Sequence, residues 1–404
     1  MSGLPPVHEP SELAWDRFRE HFPELDQLVG CPQEPEFHGE GDVATHTAMV
    51  LAALGDDPRF WSLDVEARSI VATAAALHDL GKPSTTRIED GRIRQPGHAR
   101  RGEILTRIAL WERGVPVTVR ERVANLVRFH LVPFHLVDRE DRLPRLLHAS
   151  VTGDGVESLL VLAAADAAGR ISATRNDLLE RVELARLLAE DHGVLERSWP
   201  FGSDHARVQW FRRPERDPAF VPYDDTSFEV TLLSGLPATG KDHWLQHHGR
   251  GEPAVSLDRL RNELGVDPSG PQGRVPAAAR ENARTHLRAH QPFIWNATNL
   301  SRRIRNGIVD LALDYGARVR IVTLEADPTS IDIRNTQRER PVPARAIARM
   351  LGAWEYPDPT EAHAIEVVDS VDDPEVHSES YRGIPASPTG SGALGAIIGS
   401  LFPR

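Results

Sequence analysis

The spacing of apolar residues along the chain changes near residue 205. Before it, apolar side chains recur at helical intervals, as in segments 42–54 and 65–80, and the alternation typical of strands is scarce. From Ser227 onward, short apolar runs with the length of strands alternate with helical segments. This pattern predicts a multidomain chain, with an all-α domain followed by an α/β domain whose parallel sheet has helices on both faces.

The predicted elements define the domain boundaries. We expect helices over 11–22, 42–54, 65–80, 102–111, 117–129, 143–148, 157–168, 176–190, 274–289 and 302–315. We expect strands over 228–233, 254–256, 293–296 and 319–324, and a short edge strand at 209–211. The first domain would then cover 1–200, a linker or docking segment 201–226, the second domain 227–378, and a flexible tail 379–404.

Composition and charge narrow the class of protein. A chain of 404 residues can hold two or three domains, each with its own core. Cys31 is the single cysteine, which excludes an intrachain disulfide, and no signal peptide opens the sequence, so we expect a cytoplasmic protein. No apolar run approaches the roughly 20 residues of a membrane span. The net charge of −12 argues against a general nucleic-acid coat protein but permits a small basic cleft.

One glycine-rich segment follows the first predicted strand of the second domain. It has the spacing G-x-x-x-x-G-K, in which successive backbone N–H groups bind phosphates and the lysine reaches the β and γ phosphates. The position after the lysine usually holds a Ser or Thr that binds Mg²⁺; here it is an aspartate, whose carboxylate can hold Mg²⁺ directly or through water. We therefore predict a site for an NTP, ATP or GTP, with Mg²⁺. The predicted cofactor-binding residues are Gly235, Leu236, Pro237, Ala238, Thr239, Gly240, Lys241 and Asp242.

Polar residues also follow the next two predicted strands. Asp258 and Arg261 come just after strand 254–256, and Asn299 comes after strand 293–296. Because ligands bind at the carboxyl ends of parallel strands, these residues are expected near the phosphate loop. There Asp258 can take the proton of an acceptor hydroxyl, Arg261 can bind a phosphate of the acceptor, and Asn299 can contact either. Taken alone, the pair would be interpreted as an aspartate that caps a helix and a solvated arginine.

Arginines are concentrated in two later segments. Arg302, Arg303 and Arg305 form a basic patch that could touch a nucleic-acid backbone or be a solvated helix face. Arg334 and Arg338 lie one helical turn apart. That spacing lets both side chains close over a transferring phosphoryl group and stabilise its charge.

The first domain carries histidines and aspartates in a pattern suited to metal binding. His78 and Asp79 end an apolar helix, His46 lies ahead of them, and Asp166 follows the unbroken apolar run 159–165. Since an unpaired buried carboxylate is costly, Asp166 should be hydrogen-bonded, ion-paired or bound to a metal. Imidazole and carboxylate groups together are suitable ligands of a divalent transition metal. Any one of the histidines, taken singly, would be interpreted as an ordinary core or surface residue.

The order of these residues resembles the HD metal-dependent phosphohydrolase superfamily. Beyond His46, the resemblance covers Leu-His-Asp-Leu-Gly-Lys-Pro at 77–83, Gly-His at 97–98, and Ala-Asp-Ala-Ala-Gly-Arg at 165–170. It spans about 130 residues of the chain. The metal ligands that it implies are His46, His78, Asp79, His98, His130 and Asp166.

The same resemblance implies a reaction at phosphorus. One or two divalent ions would be bound, with Asp79 bridging them where there are two. His135 is a further candidate ligand, and Lys82 and Arg170 would neutralise phosphate oxygens. A bound metal would activate water for attack on phosphorus.

The second domain resembles the P-loop polynucleotide 5′-kinases. That resemblance implies that Asp258 is the general base, that Lys241, Arg334 and Arg338 stabilise the transition state, and that Arg261 and Asn299 bind substrate. An HD domain fused ahead of such a kinase resembles the bacterial HD-Pnk RNA-repair enzymes. The shared features are Gly235 to Lys241, Asp258-x-x-Arg261, Thr298-Asn299, Arg334 with Arg338, Val342-Pro343, and Trp354 with Glu361-Ala-His363.

These resemblances predict a bifunctional RNA end-healing enzyme. Its kinase would transfer the γ-phosphate of an NTP to a 5′-OH polynucleotide end, and its HD domain would act as a 2′-phosphatase or 2′,3′-cyclic phosphodiesterase. An RNA ligase partner is implied, because healed ends still need sealing. The alternatives are an HD nucleotidase fused to a small-molecule or toxin-like kinase, and a non-catalytic protein switched by nucleotide. The sequence leaves open the metals, the preferred NTP, the choice between RNA and DNA, and the oligomeric state.

Overall fold

A computed structural model describes residues 3–267, 270, 273–369, 394 and 398–402. The chain divides into two compact units, residues 1–200 with 398–404, and residues 201–397. The predicted tail, 379–404, lies outside the described residues except for Leu394 and the segment 398–402, which includes a 3₁₀-helix at Gly399–Leu401.

The described part of the first unit is helical, as the apolar spacing predicts. Aspartates begin three consecutive helices: Asp42, Asp57 and Asp64 each accept a hydrogen bond from a backbone N–H in the first turn. The helices are α1 (Trp15–His21), α2 (Val43–Asp56), α3 (Pro58–Ser62), α4 (Val65–Leu77), α5 (Lys82–Thr85), α6 (His98–Glu112), α7 (Val117–Phe129), α8 (Val132–His135), α9 (Arg142–Gly153), α10 (Glu157–Ala168) and α11 (Arg175–Asp191), with 3₁₀-helices at Pro10–Leu13 and Pro23–Leu28.

Two helices lie at the centre of this unit. Residues 69–77 of α4 and the apolar run 159–163 of α10 are buried, which explains why their sequences are apolar on every face. The helix α10 packs against α2 and α4, and α4 also packs against α7. This packing brings the ends of helices that are distant in sequence close to one another.

Besides the short helices α3, α5 and α8, the sequence pattern misses a helix break and a hairpin in the first unit. The predicted helix 11–22 is broken at Ala14, whose backbone is extended, into a 3₁₀-helix and α1. Two short antiparallel strands, β1 (Arg87–Glu89) and β2 (Arg92–Arg94), form a hairpin after α5. The hairpin is almost wholly exposed, so it lacks the apolar alternation that identifies a strand in sequence.

No single helix in the described part of the chain has the length and apolarity of a membrane span. The helices α9 and α10, bent by 111° at their junction, meet those criteria only as a pair.

The second unit is built on a parallel sheet. Its strands are β3 (Phe228–Ser234), β4 (Ala254–Ser256), β5 (Phe293–Asn296), β6 (Ala317–Glu325) and β7 (Ala364–Asp369), in the order β4-β5-β3-β6-β7. All four neighbouring pairs are parallel. The central strand β3 is buried along nearly its whole length, which is why it reads as a continuous apolar run. The predicted combination of a helical domain and an α/β domain with a parallel sheet is confirmed.

One helix precedes the strands of this unit, and the others lie between them in the chain. They are α12 (Asp204–Arg212), α13 (Lys241–His248), α14 (Leu257–Glu263), α15 (Arg274–Arg288), α16 (Arg302–Leu313), α17 (Pro328–Thr336) and α18 (Ala344–Leu351). The predicted edge strand at 209–211 is wrong, because these residues lie in α12, whose first turn is capped by the Ser203 side chain. Within the expected linker 201–226, this helix buries Val208 and Trp210 in the second unit.

Candidate functional site

The predicted metal ligands lie at or near the ends of the packed helices of the first unit. His78 and Asp79 directly follow α4, His98 is the first residue of α6, and His130 directly follows α7. His46 lies in α2 and Asp166 in α10. His46 and Asp166 are 120 residues apart in the sequence, and the packing of α2 against α10 brings them together.

Asp79 lies at the centre of the cluster. Its Oδ2 is 3.2 Å from Nε2 of His78 and 3.9 Å from Nε2 of His46, and its Oδ1 is 3.6 Å from Nε2 of His98. The Nε2 atoms of His98 and His130 are 3.4 Å apart. Potential ligand atoms within 4.8 Å of one another form three groups in the described chain. Two of them, His46–His78–Asp79 and Asp79–His98–His130, overlap at Asp79, and the third, His38–Glu40–His46, overlaps the first at His46. Asp79 belongs to the first two groups, as a bridging ligand would.

Backbone carbonyls orient three of the imidazoles. Nδ1 of His78, His98 and His130 lies 2.7–2.9 Å from the carbonyl oxygen of the residue three positions earlier. Because a carbonyl oxygen can only accept a hydrogen bond, Nδ1 must carry the proton in each ring. In the neutral form of each ring, Nε2 then presents a lone pair toward the cluster, and this is the form that binds a metal.

The atoms in the centre of the cluster satisfy the requirements of a metal site. Oδ1 of Asp79 and Nε2 of His78 are buried and have no hydrogen-bond partner among the described residues. Buried polar atoms without partners are costly and uncommon in folded proteins. A divalent cation at this point would satisfy both atoms, so the donor set fits the metal that the fold implies.

Charges within the cluster shift the pKa values of its groups. Burial, reinforced by the charges of His78 and His98, lowers the pKa of His130 to about 3. Burial alone would raise the pKa of Asp79, but the charges of His78 and Lys82 outweigh it and hold that pKa well below its usual range. At neutral pH His130 is therefore neutral and Asp79 is ionised, which are the forms that bind metals.

Two cations contact the carboxylates. Nζ of Lys82 lies 2.7 Å from Oδ2 of Asp79 and donates to Oε1 of Gln33 at 2.6 Å. Arg170 donates to both oxygens of Asp166, at 2.9 and 3.0 Å. The structure therefore places both predicted phosphate-neutralising residues beside predicted ligands.

Asp166 and His135 differ from the other candidates. Oδ1 of Asp166 lies 3.1 Å from Nε2 of His46, so the carboxylate reaches the cluster. The same oxygen also accepts a hydrogen bond from Arg170. Burial would raise the pKa of Asp166, but Arg170 and His46 hold it well below its usual range. His135 is exposed on α8 and belongs to none of the close groups of potential ligands in the described chain.

In the second unit, the glycine-rich loop joins β3 to α13. Gly235 has φ 151° and Gly240 has φ 93°, backbone conformations that favour glycine. A Cβ atom on Gly235 would lie 2.4 Å from the carbonyl oxygen of Leu324, so only glycine fits there. Ala238 also has a positive φ, of 67°. The loop therefore curls tightly at the amino end of α13, where backbone N–H groups are free to bind phosphate.

Lys241 is held inside this loop. Its Nζ donates to the carbonyl oxygens of Gly235 at 3.0 Å and Leu236 at 2.6 Å. Burial lowers the pKa of Lys241 to about 8, the nearby carboxylates of Asp242 and Asp258 oppose this shift, and Arg338 adds to it. The phosphate loop, the predicted general base and one predicted lid arginine thus lie close enough to influence one another electrostatically.

The other predicted kinase residues are placed as follows. Asp258 and Arg261 form an ion pair on α14, as their spacing predicts, and Ser256 rather than Asp258 caps that helix. Arg334 lies in α17 and Arg338 just beyond it. The turn that follows is closed by Asn335, which donates to and accepts from the backbone of Val342.

Two expectations for this unit need correction. Asn299 is 2 % exposed and donates its amide to the carbonyl oxygen of Leu233, so it holds the strand end instead of facing an acceptor. The basic patch is not continuous as predicted either, although Arg303 is exposed. Arg305 is wholly buried and pairs with both oxygens of Glu361, while Arg302 pairs with Asp358.

Sequence reasoning missed several residues around both sites. Oδ1 of Asp242 accepts a hydrogen bond from Asn296 at 2.7 Å, and Arg340 donates to Asn262 of α14 at 3.3 Å. Beside the metal cluster, Oε1 of Glu40 lies 2.8 Å from Nδ1 of both His38 and His46. The run His38-Gly-Glu40 six to eight residues before His46 was a visible signal, but a loop carries no periodicity that shows which way its side chains point.

Comparison with known proteins supports this division of the chain. Residues 43–151 match the HD domain family and residues 230–357 match an AAA domain family. A multifunctional CCA protein from Cupriavidus metallidurans is 38% identical over 109 residues, 27% of this chain and 24% of that protein. One from Methylococcus capsulatus is 33% identical over 263 residues, 63% of this chain and 50% of that protein. The chain thus spans half or less of the length of these relatives.

A solved gluconokinase from Sinorhizobium meliloti 1021 is 16% identical, with a TM-score of 0.28, over 43% of this chain and 91% of that one. The HD match contains His46, Asp79 and the other predicted ligands except Asp166, and the AAA match contains the phosphate loop. The chain is therefore a fusion of a helical HD domain with a P-loop domain of the kinase-like type.

Proposed function

We propose that the chain is a bifunctional RNA end-healing enzyme. Its P-loop domain would be a 5′-hydroxyl polynucleotide kinase, and its HD domain a metal-dependent 2′-phosphatase or 2′,3′-cyclic phosphodiesterase. The observation that carries the proposal is the presence of two separate phosphate-handling centres on one chain, the Asp79 cluster and the Lys241 loop.

In the kinase reaction, the residues around the loop have distinct roles. Backbone N–H groups at the end of the loop and at the start of α13 bind the β and γ phosphates of the NTP, since Pro237 has no N–H and that of Gly235 already donates to Thr298. Lys241 neutralises the charge of these phosphates. Asp258 takes the proton of the 5′-hydroxyl as its oxygen forms a bond to the γ-phosphorus. The bond from that phosphorus to the β–γ bridging oxygen breaks, and the nucleoside diphosphate leaves. Arg334 and Arg338 stabilise the transferring group.

The exposure of the proposed base favours a polymeric acceptor. The Asp258 side chain is 72% exposed and the Arg261 side chain with which it pairs is 25% exposed. An open position lets the end of a long chain reach the carboxylate, with Arg261 available to bind a neighbouring phosphate by its planar fork. A small-molecule kinase more often encloses its acceptor in a concave pocket.

In the hydrolytic reaction, the buried cluster supplies the ligands and the cations supply positive charge. A bound divalent metal would lower the pKa of a water molecule and polarise the phosphate. Lys82 keeps Asp79 ionised, and Arg170 keeps Asp166 ionised. His98 is 12% exposed and marks the side from which substrate can approach.

The direct test is incubation of the protein with an RNA oligonucleotide that carries a 5′-hydroxyl and a 2′,3′-cyclic phosphate. We expect a 5′-phosphate to appear when NTP and Mg²⁺ are present, and the cyclic phosphate to open or be removed when a transition metal is present. Mass spectrometry reads both ends of the same molecule. If neither change occurs in protein that binds both metal and NTP, the proposal is refuted.

The same assay separates the alternatives. Phosphorylation of a free nucleoside but not of the oligonucleotide would indicate a small-molecule kinase. NTP binding without turnover at saturating Mg²⁺ would indicate a nucleotide-switched binding protein. If the products are healed ends as proposed, an RNA ligase is the partner that would consume them, since a 5′-phosphate is a substrate for sealing.

The pKa of Lys241 gives a further prediction. Because this pKa is about 8 rather than the ordinary 10.5, Lys241 loses its charge in the ligand-free protein as the pH rises past 8. Phosphates favour the charged form, so NTP affinity should be about tenfold weaker at pH 9 than at pH 7, measured by isothermal titration calorimetry. Lys241→Arg keeps its charge over this range and should bind with little pH dependence. Equal pH dependence in the two proteins would contradict the assignment.

A further inference from the structure

A second layer of side chains lies behind the metal cluster, on the segment that precedes α2. The Glu40 side chain is wholly buried (0% exposed), and each of its oxygens contacts a different part of the first unit. Oε1 lies 2.8 Å from Nδ1 of His46 and 2.8 Å from Nδ1 of His38. Oε2 accepts a hydrogen bond from the backbone N–H of Ile171 at 2.8 Å. Glu40 has no place in the ligand set described above, yet it is as deeply buried as the ligands.

The contact with Glu40 offers an acceptor to one nitrogen of the His46 ring. Both ring nitrogens face carboxylate oxygens: Nε2 lies 3.1 Å from Oδ1 of Asp166 with hydrogen-bond geometry, and Nδ1 lies 2.8 Å from Oε1 of Glu40 by a bent approach. A divalent metal bound at Nε2 would leave the ring proton on Nδ1, where Oε1 of Glu40 can accept it. Nε2 is the nitrogen that faces the other ligands, since it also lies 3.9 Å from Oδ2 of Asp79.

The same distances argue against a second metal bound by His38, Glu40 and His46. Tetrahedral ligands with bonds of about 2.0–2.2 Å lie about 3.4 Å from one another. The contacts of 2.8 Å from Oε1 to each imidazole nitrogen are shorter and match direct hydrogen-bond lengths. Oε1 of Glu40 therefore acts as an acceptor for two imidazole rings. One of its lone pairs faces His46 and the other faces His38.

The contact with Ile171 reaches the other end of the ligand set. Ile171 follows Arg170, whose guanidinium group donates to both carboxylate oxygens of Asp166. The backbone N–H of Gly39 also donates to the carbonyl oxygen of Ile171 at 2.8 Å, and a Cβ atom on Gly39 would lie 2.8 Å from that oxygen. Residues 39–40 thus tie the chain just after Asp166 to the loop just before His46.

We propose that Glu40 is a positioning residue for the metal site, which sets the tautomer of His46 and joins the first ligand to the segment that carries the last. Carboxylates that accept from a metal-bound histidine commonly raise its basicity and fix its orientation. This inference rests on the metal site of the proposed phosphohydrolase and not on the identity of its substrate.

The test compares two isosteric changes in one segment. In Glu40→Gln the side chain has one oxygen and one NH₂ group. If the oxygen faces His46, the NH₂ group faces the backbone N–H of Ile171, and two donors then oppose each other. One of the two contacts must therefore be lost. We expect the affinity for Zn²⁺, measured on the full chain by competition with a chromophoric chelator, to fall about 10–100-fold. Glu36→Gln is the matched control, because Glu36 is 55% exposed and pairs only with Arg92 at the surface among the contacts described. Its affinity should stay within about twofold of the unmodified protein.

The outcomes are distinguishable from failure of the proposed reaction. Unchanged Zn²⁺ affinity in folded Glu40→Gln would overturn the inference, whereas no Zn²⁺ binding by the unmodified chain would overturn the metal site itself. Should Glu40→Gln not fold, ¹⁵N NMR of the imidazoles in the unmodified chain decides the matter. A proton on Nδ1 of His46 supports the role of Glu40, and a proton on Nε2 refutes it.

Discussion

Replacement of Asp258 by asparagine should lower the rate of 5′ phosphorylation by about 10²–10⁴-fold, the contribution typical of general-base catalysis. Asparagine keeps the size of the side chain and its contact with Arg261, but it cannot take the proton of the acceptor hydroxyl. The loss should appear in kcat more than in KM, because the base acts in the transition state and not in binding. Hydrolysis of the cyclic phosphate should be unchanged, since the ligands of the metal cluster come from the first unit.

The measurement is transfer of labelled γ-phosphate to a 5′-OH oligonucleotide under saturating NTP. Glu263→Gln provides the matched control, because Glu263 lies on the same helix, is 58% exposed and pairs only weakly with Arg259 at 3.6 Å. The control should retain full activity. A loss confined to KM would instead show that Asp258 binds the acceptor, and an active Asp258→Asn enzyme would show that another group takes the proton.

The positions of the strand ends show how much the sequence could predict. Short apolar runs punctuated by polar residues gave strands β3, β4 and β5 within one residue of their observed bounds, because buried parallel strands are apolar on both faces. The glycine spacing located the phosphate loop, because few residues other than glycine tolerate φ 151° at Gly235. β7 was missed because its residues at the edge of the sheet are exposed or half-buried, with neither a continuous buried run nor a strict alternation.

Side-chain direction is the part that the sequence pattern could not supply. Arg302 and Arg305 read as a basic surface, yet Glu361, which lies more than 50 residues later, neutralises Arg305 in the core. Asn299 follows a strand end, as ligand-binding residues do, but its positive φ of 46° turns the side chain toward Leu233. Such outcomes depend on tertiary partners, which neither periodicity nor local motif spacing specifies.

The metal ligands were predictable in identity but not in arrangement. Their order along the chain suggested one cluster, and the structure places His46, His78, His98 and His130 around Asp79. The residues that orient them come from loops and backbone carbonyls. Nothing in the sequence alone indicates that Glu40 turns inward while Glu36, four residues earlier, faces solvent.

Replacement of Asp79 by asparagine should abolish phosphohydrolysis and leave 5′ phosphorylation intact. Asp79 is shared by the groups His46–His78–Asp79 and Asp79–His98–His130, so its loss would weaken both groups at once. The neutral amide also leaves Lys82 without its charged partner at 2.7 Å, next to the cations that must bind. We expect the hydrolytic rate to fall by more than about 100-fold, the upper end of the effect of outer-shell partners.

Metal content by mass spectrometry and hydrolysis of a 2′,3′-cyclic phosphate should be measured on the same preparation of Asp79→Asn. Asp64→Asn is the matched control, because Asp64 caps the start of α4, the helix that Asp79 follows, and asparagine caps a helix equally well. Full metal content with lost hydrolysis would mean that Asp79 acts on the substrate rather than on the metal. Loss of kinase activity in folded Asp79→Asn would mean that the two centres are coupled, because a change confined to the metal ligands should not alter proton transfer at Asp258.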